Sequence, residues 1–200
     1  MTEHYFSQQP QSKSSPKKWD FVLKGKKYIF TSDAGVFSKN EVDPGSRLLI
    51  EKFYAPETAG DLLDLGCGYG PIGIALAGYY EDRHIVMADV NERALSLAEQ
   101  NARDNGIKNV EFVKSDRFNS LKEREFASVI SNPPIRAGKK VVHQMFEESK
   151  KALKNAGELW IVIQKKQGAP SAKKKLEQLF NEVEVVAKHK GYYIIRAINI

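Results

Sequence analysis

Residues 61–73 read Asp61-Leu62-Leu63-Asp64-Leu65-Gly66-Cys67-Gly68-Tyr69-Gly70-Pro71-Ile72-Gly73. A short apolar run ends in three glycines spaced two apart, and a proline then opens a long apolar segment. Glycine lets the backbone reverse without a Cβ in the way, and proline suits the first helical turn, where its missing N–H has no partner to lose. The stretch predicts a strand, a tight turn and a helix. Outward from it the unit repeats: apolar strands are expected at 61–65, 84–89, 110–114, 126–131 and 157–163. Helices are expected at 71–80, 91–105 and 139–154, with a fourth at 171–180 after Pro170. Gly106 and Gly157 are placed as residues that stop helices. Strands alternating with amphipathic helices build a parallel sheet. The last apolar runs, 183–188 and 192–200, are separated only by Lys190-Gly191, a link tight enough to force them antiparallel. The fold class is α/β, a doubly wound, mostly parallel sheet with a C-terminal antiparallel hairpin.

Ahead of this core, residues 1–16 are rich in Gln, Ser and Lys and read as a flexible tail. Two β-favouring runs, 20–23 and 27–30, flank Lys24-Gly25-Lys26 and predict an N-terminal hairpin, a candidate cover for a site. Pro44-Gly45 precede a helical stripe at 46–54. One domain is expected over 17–200, divided into a hairpin extension (17–59) and a ligand-binding core (60–200).

With 200 residues, 42% of them hydrophobic, the chain can bury roughly two-thirds of the surface it exposes when unfolded. The single cysteine excludes an internal disulfide, and no Cys/His grouping has zinc-site spacing, so no metal is expected. No apolar run of about 18 residues and no secretory leader is found, which points to the cytoplasm and to no membrane partner. The net charge of +6 is uneven: residues 1–30 carry +4, 31–130 carry −6 and 131–200 carry +8. If the basic ends meet on one side of the fold, they make a face for a polyanion. Solvated lysines are the plainer reading.

Doubly wound folds bind ligands at the carboxyl ends of their strands. Three carboxylates stand there: Asp64 before the glycine turn, Asp89 at the end of the second strand, and Asp116 after the third, in Lys114-Ser115-Asp116-Arg117-Phe118. A carboxylate at Asp64, pointing into the crevice, repels a pyrophosphate and welcomes a cation. Pro71 also stands where the dinucleotide pattern wants glycine. S-adenosylmethionine (SAM), which carries an ammonium and a sulfonium, suits this charge better than NAD. Asp89 is placed to accept from both ribose hydroxyls, Asp116 from the adenine amine, and Phe118 to pack on the ring. Gly66, Cys67, Gly68, Gly70, Val90, Asn91, Arg117 and Asn132 complete the expected cofactor set. Each carboxylate also has an ordinary reading as turn residue, helix cap or Asx turn.

The fourth strand ends in Ser131-Asn132-Pro133-Pro134-Ile135-Arg136-Ala137-Gly138. Without N–H groups, the prolines leave neighbouring carbonyls out of a helix and open to a ligand. Asn132, preceding proline, is biased toward an extended backbone that aims its amide into the crevice. A planar exocyclic amine is a poor nucleophile because its lone pair is delocalised. Two acceptors, the Asn132 side-chain oxygen and the Pro133 carbonyl, can hold both hydrogens and turn the lone pair toward a methyl donor. The catalytic set is therefore Asn132, Pro133 and Pro134, acting by positioning and preorganised dipoles without a side-chain base. A rigid loop before a helix is the alternative for the proline pair.

The glycine turn together with Asn132-Pro133-Pro134 resembles the small-domain (MTS) methyltransferases, the family of the ribosomal RNA guanine-N2 methyltransferases RsmC and RlmG. Thr31-Ser32-Asp33-Ala34-Gly35-Val36-Phe37-Ser38 and Asp43-Pro44-Gly45-Ser46-Arg47-Leu48-Leu49 are similar to the family's segment ahead of the cofactor strand. The resemblance spans about residues 17–200. It implies a Rossmann-like class I methyltransferase sheet, a role for Phe37, Asp43 and Ser46 in closing the pocket on cofactor and base, and RNA as partner. Relatives commonly have an aromatic residue after the second proline; Ile135 stands here, and Arg136 is a candidate to compensate by meeting phosphate or lying on a base. Larger relatives carry a further N-terminal domain that these 200 residues do not include.

The leading expectation is thus SAM-dependent methylation of an RNA base amine, guanine N2 of ribosomal RNA first, on free RNA or an assembly particle, by a monomer or weak homodimer, with S-adenosylhomocysteine as product. The same turn serves a protein glutamine amide or a DNA or RNA adenine. A SAM-binding protein that recognises RNA without catalysis is the third reading.

Overall fold

A computed structural model describes residues 8–200. Its elements in chain order are β1 (Lys17–Leu23), β2 (Lys26–Ser32), α1 (Pro44–Lys52), β3 (Leu62–Leu65), α2 (Pro71–Tyr79), β4 (Ile85–Asp89), α3 (Glu92–Asp104) and β5 (Val110–Lys114). They continue with β6 (Phe126–Ser131), α4 (Lys139–Ala152), β7 (Leu153–Gln164), α5 (Ala169–Leu179), β8 (Glu182–His189) and β9 (Tyr192–Asn199). Seven strands form one sheet in the order β5-β4-β3-β6-β7-β9-β8, with β1 and β2 forming a separate hairpin. The five strands from β5 to β7 are parallel, and β9 runs antiparallel to both its neighbours. Because β3 pairs with both β4 and β6, the winding reverses beside it, where a crevice opens at the carboxyl edge.

The sheet is buried on both faces, which explains why its central strands are apolar without alternation. All six residues of β6 are buried, as are all four of β3. On one face Leu62, Ile85, Met87, Ile130 and Trp160 pack against α1, α2, α3 and the hairpin; on the other Leu63, Val86, Val129, Leu159 and Ile161 meet α4 and α5. Helix α2 is buried from Pro71 through Ala77, because sheet and neighbouring elements surround it on every side.

The sequence reading differs from the structure at Gly157. No helix ends there: α4 stops at Ala152, β7 begins at the next residue, and Gly157 lies inside the strand. Phe126 pairs with Leu153 but Ser128 with Glu158, so β7 carries a bulge between them. A Cβ on Gly157 would lie 2.8 Å from the Lys154 carbonyl oxygen, which explains the glycine. Gly106 does take the left-handed conformation (φ +66) just beyond α3.

The hairpin is fastened by two asparagines one helical turn apart, Asn101 in α3 and Asn105 at its C-cap. Thr31 N–H donates to Asn101 Oδ1 (2.7 Å) and Asn101 Nδ2 donates to Thr31 O (2.9 Å). Asn105 repeats the exchange with Ile29 (2.9 and 2.7 Å). These amides stand in for a third strand along the β2 edge. Of the expected tail, residues 1–7 lie outside the described residues. Residues 10–15 run along Arg93 and Asp33: Arg93 donates to the carbonyls of Pro10 and Ser12, and Asp33 accepts from Ser14 Oγ and Ser15 N–H. Among the described residues no helix is long and apolar enough to cross a membrane.

Candidate cofactor and substrate site

The carboxyl ends of β3, β4, β5 and β6 open into one cavity of about 380 Å³. Its floor is the glycine turn, hooked over the next strand by Gly66 and Cys67 N–H groups that both donate to Ala88 O (2.8 and 2.9 Å). The turn's glycines divide into two kinds. Gly66 and Gly68 have left-handed φ values (+76 and +58), and a Cβ on either would enter open space, so bare backbone faces the cavity. A Cβ on Gly70 would lie 2.9 Å from Ile74 Cδ1 and Met87 Cε, and one on Gly73 within 2.8 Å of the Met87 side chain. These two glycines let α2 pack on β4.

Asp64 does not line the cavity. It is buried beneath the turn, where Oδ2 accepts from Gly73 N–H (2.8 Å) and Oδ1 has no hydrogen-bond partner among the described residues. Burial, aided by the nearby Asp89 charge and opposed by the Gly73 N–H, pushes its pKa up to about 7. Asp89 stands on the cavity wall, with Oδ2 accepting from Gly68 N–H and Oδ1 from Asn91 N–H (2.8 Å each). Burial raises its pKa against backbone hydrogen bonds from Asn91, Gly68 and Val90. Burial, with Asp89 and Asp64 adding, also pushes the Cys67 thiol well up, so this cavity-lining sulfur is held protonated. Asp116 and Arg117 line the β5 end; Arg117 is held by Glu148 of α4 (3.1 Å) and lies 3.5 Å from Asp116. Phe118 is buried instead in the core on the α4 face.

Asn132, Pro133 and Pro134 close the cavity from β6. Asn132 Nδ2 donates to Asp43 Oδ2 (3.1 Å) and to Ser46 Oγ (3.0 Å). Asp43 also caps α1, accepting from Ser46 N–H (2.9 Å). An ionised carboxylate only accepts, so it fixes the amide's orientation: Nδ2 is committed to α1 and Oδ1 is turned away from it. The carbonyls after the prolines are less open than the sequence suggests. Pro133 O accepts from Ile135 N–H (2.8 Å) around an inverse γ-turn at Pro134 (φ −76, ψ 75), leaving one lone pair, and Pro134 O accepts from Ala137 N–H. Ile135 and Arg136 fall in the short 3₁₀ turn and do not line the cavity; Ile135 packs toward the α4 core and Arg136 is exposed.

The loop from Asp33 to Asp43 forms the remaining wall through Val36, Phe37 and Ser38. Asn91, expected at the cofactor, lies behind the wall: Oδ1 caps α3 at Ala94 N–H and Nδ2 donates to Gly35 O (3.0 Å). Arg93 donates to Ala34 O (2.7 Å) and faces Asp33. Burial works against the Asp33 charge, but bonds from Ser14, Ser15 and Ala34 and the Arg93 charge hold its carboxyl below the usual value. Sequence reasoning missed Arg93, Asp33 and the cavity-lining Tyr69, whose OH donates to Glu41 O (3.1 Å). A signal existed for Arg93: a cation in the first turn of a helix opposes the helix dipole and calls for a tertiary partner.

Thirteen of the expected residues thus share one cavity: Phe37, Asp43, Ser46, Gly66, Cys67, Gly68, Asp89, Val90, Asp116, Arg117, Asn132, Pro133 and Pro134. Asp64, Gly70, Asn91, Ile135 and Arg136 stand outside it. The family model described as methyltransferase small domain matches residues 27–196. The chain is 61% identical to the Bacillus subtilis protein YbxB, described as uncharacterized, over 98% of both chains. It is 32% identical to ribosomal RNA small subunit methyltransferase C of Actinobacillus pleuropneumoniae, over 81% of this chain and 49% of that protein. The chain spans about half the length of the named ribosomal RNA methyltransferases it matches. In structure it is similar to the T. thermophilus 16S rRNA N2 methyltransferase RsmC solved with AdoMet and guanosine: TM-score 0.83, 24% identity, 96% of this chain and 52% of that one. A Pyrococcus furiosus methyltransferase shares the fold at TM-score 0.67 and 18% identity, over 83% and 90% of the two chains.

Proposed function

The chain belongs to the methyltransferase small-domain family, and from that premise we propose that it methylates an exocyclic amine of an RNA base, guanine N2 of ribosomal RNA, in the cytoplasm, with SAM as donor. The observation that carries the reading is the pinning of the Asn132 amide by Asp43 and Ser46 at the rim of a glycine-floored cavity.

The residues present fit SAM. Gly66 and Gly68 offer a cradle that any Cβ would fill, Asp89 offers lone pairs for ribose hydroxyls, and Asp116 faces the same cavity. Asp64 Oδ1, without a hydrogen-bond partner among the described residues, adds negative potential that suits a cation once the carboxyl ionises, from about pH 7 upward. When bound, SAM supplies a sulfonium-linked methyl group open to in-line displacement by an amine lone pair. The rest of the work falls to the chain. Asn132 Oδ1 and the remaining lone pair of Pro133 O accept the two amine hydrogens and turn the nitrogen lone pair out of conjugation. With Nδ2 committed to α1, the amide cannot rotate away, so the acceptor is preorganised. The nitrogen sheds its surplus proton to water after it gains the methyl carbon, and no side-chain base is required. Residues 17–59 close one side of the site and residues 60–200 bind the donor, together making one catalytic unit.

Relatives named as ribosomal RNA methyltransferases, and the guanosine bound to a structural neighbour, support RNA guanine as acceptor. The test is mass mapping of methylated nucleosides in ribosomal RNA from cells with and without the gene, followed by rescue with purified protein and SAM. The expected result is one N2-methylguanosine lost and then restored, with no restoration by Asn132→Ala. A methylated adenine or protein glutamine in its place moves the acceptor. Unaltered RNA with SAM bound leaves a non-catalytic binder.

A further inference from the structure

The carboxyl edge of the sheet is split in charge. Over its cofactor half, at the ends of β3, β4 and β5, stand Asp64, Asp89 and Asp116. Over the other half every connection is basic. The segment after β6 carries Arg136, Lys139 and Lys140, the one after β7 carries Lys165 and Lys166, and the end of β8 with its turn carries Lys188 and Lys190. Segments 132–140, 165–170 and 188–191 contain no Asp or Glu. All seven cations are exposed, and none forms an ion pair with a described acidic side chain. Lys188 lies over the Tyr193 ring, whereas on the hairpin Lys18 and Lys27 pair with Asp104 and Asp20 and Lys17 bonds Asn40.

The basic edge is continuous with the reacting group. Asn132 bonds Asp43 and Ser46; Gly45 between them has no room for a Cβ because the Tyr192 ring lies 2.8 Å from where it would be. Tyr192 pairs with Gln164 across β9 and β7, and Lys165 N–H donates to Gly191 O (2.8 Å). Gln164, Lys165, Lys166, Pro170, Lys190 and Gly191 together line a depression. Helices α4 and α5, which start at this edge, have no side-chain cap and no acidic residue in the first turn, so their N-terminal potential adds to the same sign.

We infer that this edge is the docking track for the RNA backbone flanking the target base, with Lys165, Lys166 and Lys190 after β7 and β8, and Arg136, Lys139 and Lys140 after β6, holding its phosphates. The inference rests on the RNA reading above. It places the polyanion on cations that form no ion pair with a described acidic side chain and away from the carboxylates of the cofactor half, where a phosphate would be repelled. Phosphate contacts set position and leave base choice to the cavity.

The test compares two triple variants of equal charge: Lys165→Gln/Lys166→Gln/Lys190→Gln, and Lys18→Gln/Lys26→Gln/Lys27→Gln on the hairpin. Fluorescence anisotropy of a labelled ribosomal RNA hairpin is followed between about 50 and 200 mM salt, with SAM affinity measured by calorimetry. The edge variant is expected to bind RNA about tenfold or more weakly, with the slope of log affinity against log salt smaller by about 2 and SAM binding unchanged. The hairpin variant should keep the wild-type slope. Equal losses in both variants, or no loss in the edge variant while the wild type binds RNA, overturns the inference. A wild-type chain that binds SAM but neither binds nor methylates ribosomal RNA overturns the underlying reading, and that result is seen without any mutation.

Discussion

Asp43 Oδ2 lies 3.1 Å from Asn132 Nδ2, joining residues 89 positions apart in the chain. The carboxylate caps α1 and orients the amide at once, so replacing it confounds two effects. Ser46 separates them, because its backbone N–H, not its hydroxyl, serves the cap. Ser46→Ala should leave the fold within about 1 kcal/mol and SAM affinity unchanged, while lowering kcat about tenfold, the scale of one hydrogen bond realised in the transition state. Asn132→Ala should lower kcat by about a hundredfold or more. Adding Ser46→Ala to Asn132→Ala should then cost nothing further, since the serine acts through the amide. Additive losses in that cycle would show that Ser46 acts on its own.

The two kinds of glycine give opposite phenotypes. Gly68→Ala puts a methyl into open cavity space at φ +58, so it should cost about 1–2 kcal/mol of stability yet abolish measurable SAM binding. Gly70→Ala drives a Cβ to 2.9 Å from Ile74 and Met87, at φ +100, and should lower thermal stability far more. Calorimetric SAM binding and thermal unfolding, run side by side, check both. A Gly68→Ala chain that binds SAM normally would remove the cradle from the model.

The sheet was legible because its signals are local: apolar runs of strand length, glycine and proline at the turns, and a two-residue link that forces the last pair antiparallel. The expected strand at 126–131 is the one observed, and the expected hairpin is present, though longer, at Lys17–Leu23 and Lys26–Ser32. Gly157 misled because a glycine behind an amphipathic segment looks the same whether it stops a helix or relieves a bulge. The cavity wall was legible where a motif sits on one loop, as at Gly66 to Gly68 or Asn132 to Pro134. Partnerships across the chain were not: Asn101 and Asn105 lie on the polar side of an amphipathic pattern, where solvation is the default and nothing marks a β2 edge as partner. Asp64 was placed in the crevice from its position at a strand end. The direction of its side chain depends on the Gly73 N–H nine residues on.

Asn101 is buried and bonds three backbone groups: it accepts from Thr31 N–H and donates to Thr31 O and Tyr69 O. Asn101→Ala leaves those groups without partners, so the chain should lose about 2–4 kcal/mol. The loss should be concentrated at the hairpin, because the sheet core does not depend on this amide. Hydrogen exchange should show the Thr31 amide exposed at lower opening energy while β3 and β6 amides keep their order relative to one another. Uniform loss of protection would mean that the hairpin and core unfold as one unit.

Asp64 supplies a pH signature. Its pKa, near 3.9 in an unfolded chain, is raised to about 7 by burial, so between those values the folded protein holds a proton that the unfolded chain releases. Stability from this group is therefore complete below about pH 4 and is lost as pH rises toward 7, flattening above; the loss is ~2–4 kcal/mol. Asp89, raised in the same direction, adds to the trend without being removed by a change at 64. Asp64→Asn keeps an oxygen for Gly73 N–H and abolishes the titration, so the variant should gain on the wild type as pH rises from 5 to 8. Melting temperatures of the two proteins across that range check the prediction. In the wild type alone, SAM affinity should also tighten through pH 7 as the buried carboxylate ionises beneath a cationic ligand. If the two melting curves instead stay parallel from pH 5 to 8, Asp64 is ionised throughout, and the potential under the glycine turn is constant over the working range.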